Sequence, residues 1–410
     1  MRLSVVDACF PIGSPAKGVA AIWIEWFCKK KGALITSIGD SEVVAVTCVD
    51  PRNWGVCYTI KKKYRHVKIV SGGAGAFSPY SLSLHSDAVC VGDGQRFLST
   101  LCTDGLDAVK VLPESFIHGQ NREVIPAEGF PFDCPPIQAE DGSFKIWLGR
   151  GCKKKCAFCQ TGLAQQYQEN PKPENIIKNI KMLKGKKNKF SYMSNDLMQH
   201  SFWKLLPPVE HGSYSLDFIK KNGLPPARQI RLGIEGVSEK LRKFINKPIS
   251  KDDLVKATAW LNQNGKSVRW FMIAGLPTEK KHDWDELKEA VLMWKKICHK
   301  GVLALSFTAW QPEPATPLGA FPIDDFYWEN WKDFKEWFFS GVGWSNRIKL
   351  MNPAMPSTRL ESAMARMGTS EDILRKGGDW GPNDRVLYPN KNARNKFYDY
   401  LIKKEATSNG

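Results

Sequence analysis

The chain has 410 residues, room for two or three domains at roughly 150 residues each. It is 42% hydrophobic and 25% charged, the balance of a globular protein, and no apolar run approaches the ~18 residues of a membrane span, so no membrane partner is expected. Lys and Arg number 59 against 42 Asp and Glu, a net charge of +17 that points to a polyanionic partner such as nucleic acid or a nucleotide, unless the charges only solvate a face. The N-terminus has no long apolar core ahead of a cleavage site, so no secretory signal is expected. Eleven cysteines, an odd number scattered over a long chain, argue against a disulfide framework and for a reducing cytoplasm.

Residues 1–110 read as an α/β domain with a parallel sheet. Leu3-Ser-Val-Val starts a strand, and Val19, Ile22, Trp23, Trp26 and Phe27 recur at helical spacing before Gly32. Three buried-type strands follow, at 42–49, 67–71 and 87–91. The last two run into glycine turns, Gly72-Gly73 and Gly92-Asp93-Gly94, where a sheet of this kind holds ligands. Lys61, Lys62, Lys63, Arg65 and Lys68 form a basic group between them. Residues 111–142 carry Pro113, Pro126, Pro131, Pro135 and Pro136 and read as a linker, in which Cys134 has no assigned role.

From 143 to 322 the pattern is again strand, loop, helix. Strands are expected at 144–148, 189–193, 229–235, 268–275 and 302–310, with helices at 174–183, from Ser250 onward and at 283–297. This series fits a partial TIM-type barrel of about six βα units, with chemistry on loops at the carboxyl ends of strands. Residues 323–410 form a C-terminal extension, aromatic and then basic. Phe334, Trp337, Phe338 and Phe339 recur at helical spacing, as do Phe326, Tyr327, Trp328 and Trp331 before them. Such spacing usually marks a helix packed on a core. Gly377 to Gly381 reads as a loop, and the last few residues as disordered.

The first barrel strand leads directly into Cys152, Cys156 and Cys159, spaced C-x3-C-x2-C with three lysines between the first two. Three thiolates within eight residues can wrap one metal centre, and a cubane iron–sulfur cluster so held keeps one iron open. Zinc is the competing reading. It wants four ligands, commonly in pairs, and His118 and His200 do not supply them at ligand spacing.

This spacing, with Phe158 before the last cysteine, resembles the radical S-adenosylmethionine (SAM) superfamily. The resemblance implies that Cys152, Cys156 and Cys159 hold a [4Fe-4S] cluster whose open iron chelates SAM, with Phe158 packing near the adenine. It also implies an electron donor such as flavodoxin or ferredoxin, and chemistry in which SAM is cleaved to a 5'-deoxyadenosyl radical. Ser194-Asn195-Asp196 resembles the turn that binds the SAM amino group. Gly233-Ile-Glu-Gly-Val-Ser-Glu-Lys-Leu-Arg resembles the segment in which Glu235 accepts from the SAM ammonium or ribose, with Ser238 and Arg242 as ribose or carboxylate candidates. Phe271 to Glu279 resembles the adenine-contact strand, shaped by Gly275 and Pro277, and 309–318 resembles the final-strand turn.

The glycine turns Gly72-Gly73 and Gly92-Asp93-Gly94 are similar to those of the Rossmann-like cobalamin-binding domain that precedes many radical SAM domains. Asp93 and Gln95 stand where acids are more usual, and the Asp-x-His-x-x-Gly sequence of histidine-ligated cobalamin proteins is absent. The resemblance implies bound cobalamin or, alternatively, a domain that kept the fold and lost the ligand. Substrate modification by methylation or rearrangement is then expected. The net charge favours a nucleobase, nucleotide or nucleic acid, with a peptide or small natural product as the alternative. A methylthiotransferase would want a second cysteine set, and Cys9, Cys48 and Cys90 sit at loose spacings. A non-catalytic binding protein is the reading of another class, against which the intact triad speaks. Catalysis of this kind needs few protein acid–base groups, so His200, His211 and His282 are expected to be structural or on the surface.

Overall fold

The computed structural model describes residues 1–48, 54–77, 79–120, 123–129, 134–139, 142–163, 165–185, 189–310, 313, 316–320 and 331–354. The expected loop at Gly377 to Gly381, the basic tail, and Phe326, Tyr327 and Trp328 lie outside these residues.

The strands, in chain order, are β1 (Arg2–Asp7), β2 (Leu34–Ile35), β3 (Val43–Thr47), β4 (Lys68–Gly72), β5 (Ala88–Cys90), β6 (Ser115–Phe116), β7 (Ile137–Gln138) and β8 (Phe144–Trp147). They continue as β9 (Gly149–Arg150), β10 (Gln168–Glu169), β11 (Phe190–Met193), β12 (Val209–Tyr214), β13 (Ala227–Glu235), β14 (Ser267–Ala274), β15 (Leu303–Ala309) and β16 (Ile348–Ala354). The helices are α1 (Val19–Lys30), α2 (Trp54–Lys63), α3 (Pro79–Ser83), α4 (Gly94–Asp104), α5 (Leu106–Lys110) and α6 (Gln160–Leu163). They are followed by α7 (Pro173–Gly185), α8 (Leu216–Asn222), α9 (Glu239–Phe244), α10 (Lys251–Gln263), α11 (Lys281–Ile297) and α12 (Trp331–Val342).

The N-terminal sheet has the order β2-β1-β3-β4-β5-β6, parallel except for β6. Its central strands are buried on both faces, which is why they read as continuous Val and Ala runs. One face packs under α1 and α4 through Val5, Ala45, Val70, Phe97 and Leu101. The other packs under α2 through Val44, Val46, Ile60 and Ile69.

The second half holds two larger sheets, β11-β8-β7 and the five-stranded parallel sheet β12-β13-β14-β15-β16, and the antiparallel pair β10-β9. From β8 onward the main strands lie in chain order, as a right-handed βα series requires. One core runs beneath both sheets, from Ile146 and Ile180 to Trp270, Trp294 and Phe338. Two of its buried indoles are satisfied within it: Trp270 donates to Thr258 at 2.9 Å and Trp294 to Asn262 at 2.9 Å.

Besides several two-residue strands, two longer ones lie where none was expected. β12 hides in Val-Glu-His-Gly-Ser-Tyr, which alternates poorly and follows two prolines. β16 adds a fifth strand after residue 322, so the sheet continues past the expected start of the extension. The described part of the aromatic run does form a helix, α12, packed on the core of the second half: Phe334 meets the Trp284 ring edge-on at 4.7 Å, and Lys288 sits over Trp337 at 3.8 Å. Among the described residues no helix is long and apolar enough to cross a membrane.

Candidate active site

The cysteine loop follows β9, just beyond the carboxyl end of β8. Cys156 is buried, and Cys152 and Cys159 are half-buried. Burial pushes the Cys156 thiol up to about 11, and the neighbouring Cys159, Glu235 and Cys152 charges add to this while Lys247 opposes it. Burial also raises Cys152, which feels Cys159 in turn. The three sulfurs are therefore near enough to sense one another's charge. Among the described residues, no three His, Cys, Asp or Glu side chains converge on a single ion. A cubane does not require that convergence, since each thiolate binds its own iron.

The loop is fastened on every side. Ala157 N donates to Ile245 O at 2.9 Å, and Leu318 N donates to Ala157 O at 3.3 Å. Asn246, held at φ +58°, donates its amide to Lys155 O at 2.8 Å. Asn195 donates to Gly151 O at 3.1 Å, and Gln199 accepts from Lys153 N at 3.1 Å. The three lysines serve the same purpose. Lys153 donates to Gln199 O at 2.6 Å beneath the Tyr167 ring, Lys154 pairs with Asp217, and Lys155 donates to Gly162 O.

Glu235 ends β13 at a register shift, with φ +62°. A left-handed glutamate is costly, and such backbone tends to occur where a side chain must be aimed. Its carboxylate accepts from Lys247 Nζ at 3.2 Å, and both side chains are largely buried. The Glu235, Cys156 and Cys152 charges hold the Lys247 ammonium above its usual value despite its burial. Lys247 was missed as a candidate because, in sequence, it is one lysine among many. Only the turn after α9 brings it to Glu235 and the thiols.

The Ser194 hydroxyl donates to Asp196 O at 2.8 Å, and Asp196 N and the Gln199 amide each approach it at 3.3 Å. His200 Nε2 lies 2.7 Å from it, while His200 Nδ1 faces Tyr167 at 3.1 Å. Burial lowers the His200 imidazole to about 4, so the ring is neutral near pH 7. His200 is thus a structural member of this turn, as expected. Asp196 caps Met198 N at 2.9 Å and receives Ser215 N at 2.6 Å, tying the ends of β11 and β12 together.

Ser238 and Arg242 also have their polar atoms in use within the fold. Ser238 caps α9 by accepting from Leu241 N at 3.3 Å, and it donates to Asp283 at 2.6 Å. Arg242 is buried and donates to Ile249 O at 2.7 Å, Gly236 O at 3.1 Å and Glu286 at 3.1 Å. Gly275 N and Leu276 N, with the Trp284 indole, donate to Glu279, whose carboxyl burial still pushes up to about 8. Pro277 lies inside that closed turn, and Phe158 packs against the main core.

Gly72, Gly73, Gly92 and Gly94, the four glycines of the two expected turns, line one cavity of about 180 Å³. It opens at the carboxyl ends of β3, β4 and β5, between α1 and α4, and the later residues Trp147 and Arg150 close it. Gly73 and Gly92 are required by the chain itself. They hold φ +107° and +92°, and a Cβ would lie 2.5 Å from Cys48 O or Ala127 O respectively. Gly72 and Gly94 face ordinary contacts. Arg150, two residues before Cys152, pairs with Asp93 and so links this cavity to the cysteine loop.

No family model matches the chain. A curated relative, the uncharacterized protein MJ0966 of Methanocaldococcus jannaschii, is 24% identical over 199 residues, which span 45% of this chain and 43% of that protein. The chain is thus matched over less than half the length of that relative. The radical SAM methyltransferase TsrM from Kitasatospora setae, solved with cobalamin and a [4Fe-4S] cluster bound, superposes with a TM-score of 0.54 at 12% identity, over 78% of this chain and 77% of that one. The cobalamin-dependent SAM radical enzyme OxsB, solved with aqua-cobalamin and SAM bound, gives 0.52 at 12% identity, over 98% and 71%. With a glycine-lined cavity in its first sheet and a three-cysteine loop opening its second half, the chain has the fold of the cobalamin-dependent radical SAM enzymes.

Proposed function

We propose that the protein is a cobalamin-dependent radical SAM enzyme, a methyltransferase in the first instance. The observation that carries this reading is the buried Glu235–Lys247 pair set against three thiols on one fastened loop. Cys152, Cys156 and Cys159 would hold a [4Fe-4S] cluster, which supplies the electron that cleaves SAM when bound. Glu235 offers a carboxylate to the SAM ammonium or ribose, and Lys247 a cation to the SAM carboxylate. Phe158, Asn195, Gly275 and Pro277 shape the walls of that site. Ser194, Ser238 and Arg242 support it by bracing the turns after β11 and β13. The glycine-lined cavity would receive part of a cobalamin, a cofactor able to carry a methyl group. A donor such as flavodoxin or ferredoxin is needed to reduce the cluster.

For the substrate, the net charge of +17 supports a polyanion such as a nucleotide or nucleic acid. Lys153, Lys154 and Lys155 offer it little, since each ammonium already has a partner within the fold. That observation favours a second reading, a small-molecule substrate. TsrM has been solved with a tryptophan substrate and a SAM analogue, which supports the same alternative.

The test is anaerobic reconstitution with iron, sulfide and SAM, followed by assay of 5'-deoxyadenosine. Iron uptake and SAM cleavage are expected, and Cys156→Ala should lose both. A protein that takes up no iron and cleaves no SAM would overturn the reading. Polynucleotide binding that is absent even at low salt would remove the nucleic-acid substrate.

A further inference from the structure

We propose that Cys102 and Cys28 form a peroxide-reactive dithiol, in which the Cys102 sulfur is oxidised first and Cys28 then closes a disulfide between α4 and α1. The inference is independent of the function proposed above, since neither thiol belongs to the cysteine loop or lines the glycine cavity.

The two helices bring the thiols together. Cys28 is buried in the core that α1 and α4 share, and Cys102 packs against that core while only half-buried itself. Cys28 lies four residues after Ile24 on α1, and Cys102 four after Leu98 on α4. Each thus stands one turn along the same face from a residue of the cavity wall. The two thiols are hydrogen-bonded to each other. A disulfide bond is ~2.05 Å long, on the order of 1.5–2 Å shorter than a thiol hydrogen bond, so the helices need shift only slightly to close it.

Reactivity is divided unequally between them. The hydrogen bond from Cys28 holds the Cys102 thiol below its usual value despite partial burial, and the Lys31 ammonium acts in the same direction. That hydrogen bond, together with burial, pushes the Cys28 thiol up. A thiolate within reach of solvent and beside a cation is the form that attacks peroxide, and a neighbouring thiol resolves the product. The Cys102 thiolate attacks one peroxide oxygen and the O–O bond breaks. The departing hydroxide takes up the proton that Cys102 released, forming water and leaving a sulfenic acid. The Cys28 sulfur then attacks the Cys102 sulfur, and the Cys28 proton leaves with the sulfenic hydroxyl as a second water. The thiols lose two electrons in all, and one peroxide becomes two waters. A second pair supplies the contrast: Cys48 and Cys57 are also hydrogen-bonded, yet both are fully buried under the opposite face of the sheet, out of reach of solvent.

The test treats the full-length protein with limiting hydrogen peroxide under argon, blocks the remaining thiols with iodoacetamide and maps unreduced peptides by mass spectrometry. A Cys28 peptide joined to a Cys102 peptide, with the loss of two hydrogens, is expected, and dithiothreitol should part them. The free Cys102 thiol should disappear at least ~10-fold faster than that of Cys57. Cys28→Ala should stop at the sulfenic acid, trapped on Cys102 by dimedone, and Cys102→Ser should leave Cys28 a free thiol. Should Cys28→Ala fail to fold, the wild-type map decides. Cys156→Ala should give the same cross-link, so loss of the radical SAM reading would leave this result standing. Recovery of Cys28 and Cys102 as alkylated thiols while the exposed Cys9 is oxidised overturns the proposal. So does Cys102 reacting no faster than Cys57, and so does a wild-type dimedone adduct on Cys102 without the cross-link.

Discussion

At the carboxyl edge of the six-stranded sheet, position is set by backbone. Gly73 and Gly92 adopt left-handed φ and allow strand-end turns to press against Cys48 and Ala127. At the cysteine loop, position is set by side chains that cross between distant elements: Asn246, Asn195 and Gln199 reach the loop, and its three lysines reach out. A backbone-built site fails when a single methyl group is added. A site built from many side chains degrades step by step, except where one buried charge carries a whole junction.

That exception should give the largest effect. Arg242→Ala removes a buried cation, leaves Glu286 without its charge partner and strips two carbonyls of the guanidinium donor. A loss of about 3–5 kcal/mol is expected, read by urea denaturation. A change under ~1 kcal/mol would show that the α9–α11 junction is as distributed as the loop itself.

Next comes His200. Its folded value, about 4, lies below the usual 6.5, so the unfolded chain takes up a proton that the folded one refuses. The stability it contributes is complete above about pH 6.5 and is lost as pH falls through about 4, on the order of 3 kcal/mol in all. Thermal denaturation from pH 7 to 4 should show this decline, and His200→Gln should flatten it.

The backbone-built region is tested by two glycines of one turn. Gly92→Ala places Cβ 2.5 Å from Ala127 O at φ +92° and should cost about 2 kcal/mol or more. Gly94→Ala meets only Leu98, at 3.5 Å, and should be close to neutral. Equal costs would show that the turn is not backbone-determined. The smallest effect is expected from Lys154→Ala, whose partner Asp217 is mostly exposed. Stability should change by less than ~1 kcal/mol.

Much of this was legible in the sequence. Buried strands such as Val43–Thr47 and Ser267–Ala274 announce themselves by β-branched and apolar runs, and the cysteines by spacing. β12 did not, because an exposed Glu-His pair and a glycine break its pattern. For the glycine turns, position was readable but the reason was only partly so. Two of the four glycines answer to neighbouring backbone, a demand that appears once strands are paired. Lys247 and the fold partners of the cysteine-loop lysines were illegible for a related reason. A lysine's sequence context does not say whether its ammonium meets water, a carbonyl or a carboxylate.

Glu235 carries a consequence for anyone who would engineer this chain. Its left-handed backbone is a conformation that glycine adopts freely, so Glu235→Gly should relax the end of β13. The same change removes the carboxylate that faces Lys247. With Lys247 then buried and unpaired, the relief at β13 is outweighed, so the strained glutamate and the buried lysine hold each other in place and can only be exchanged together.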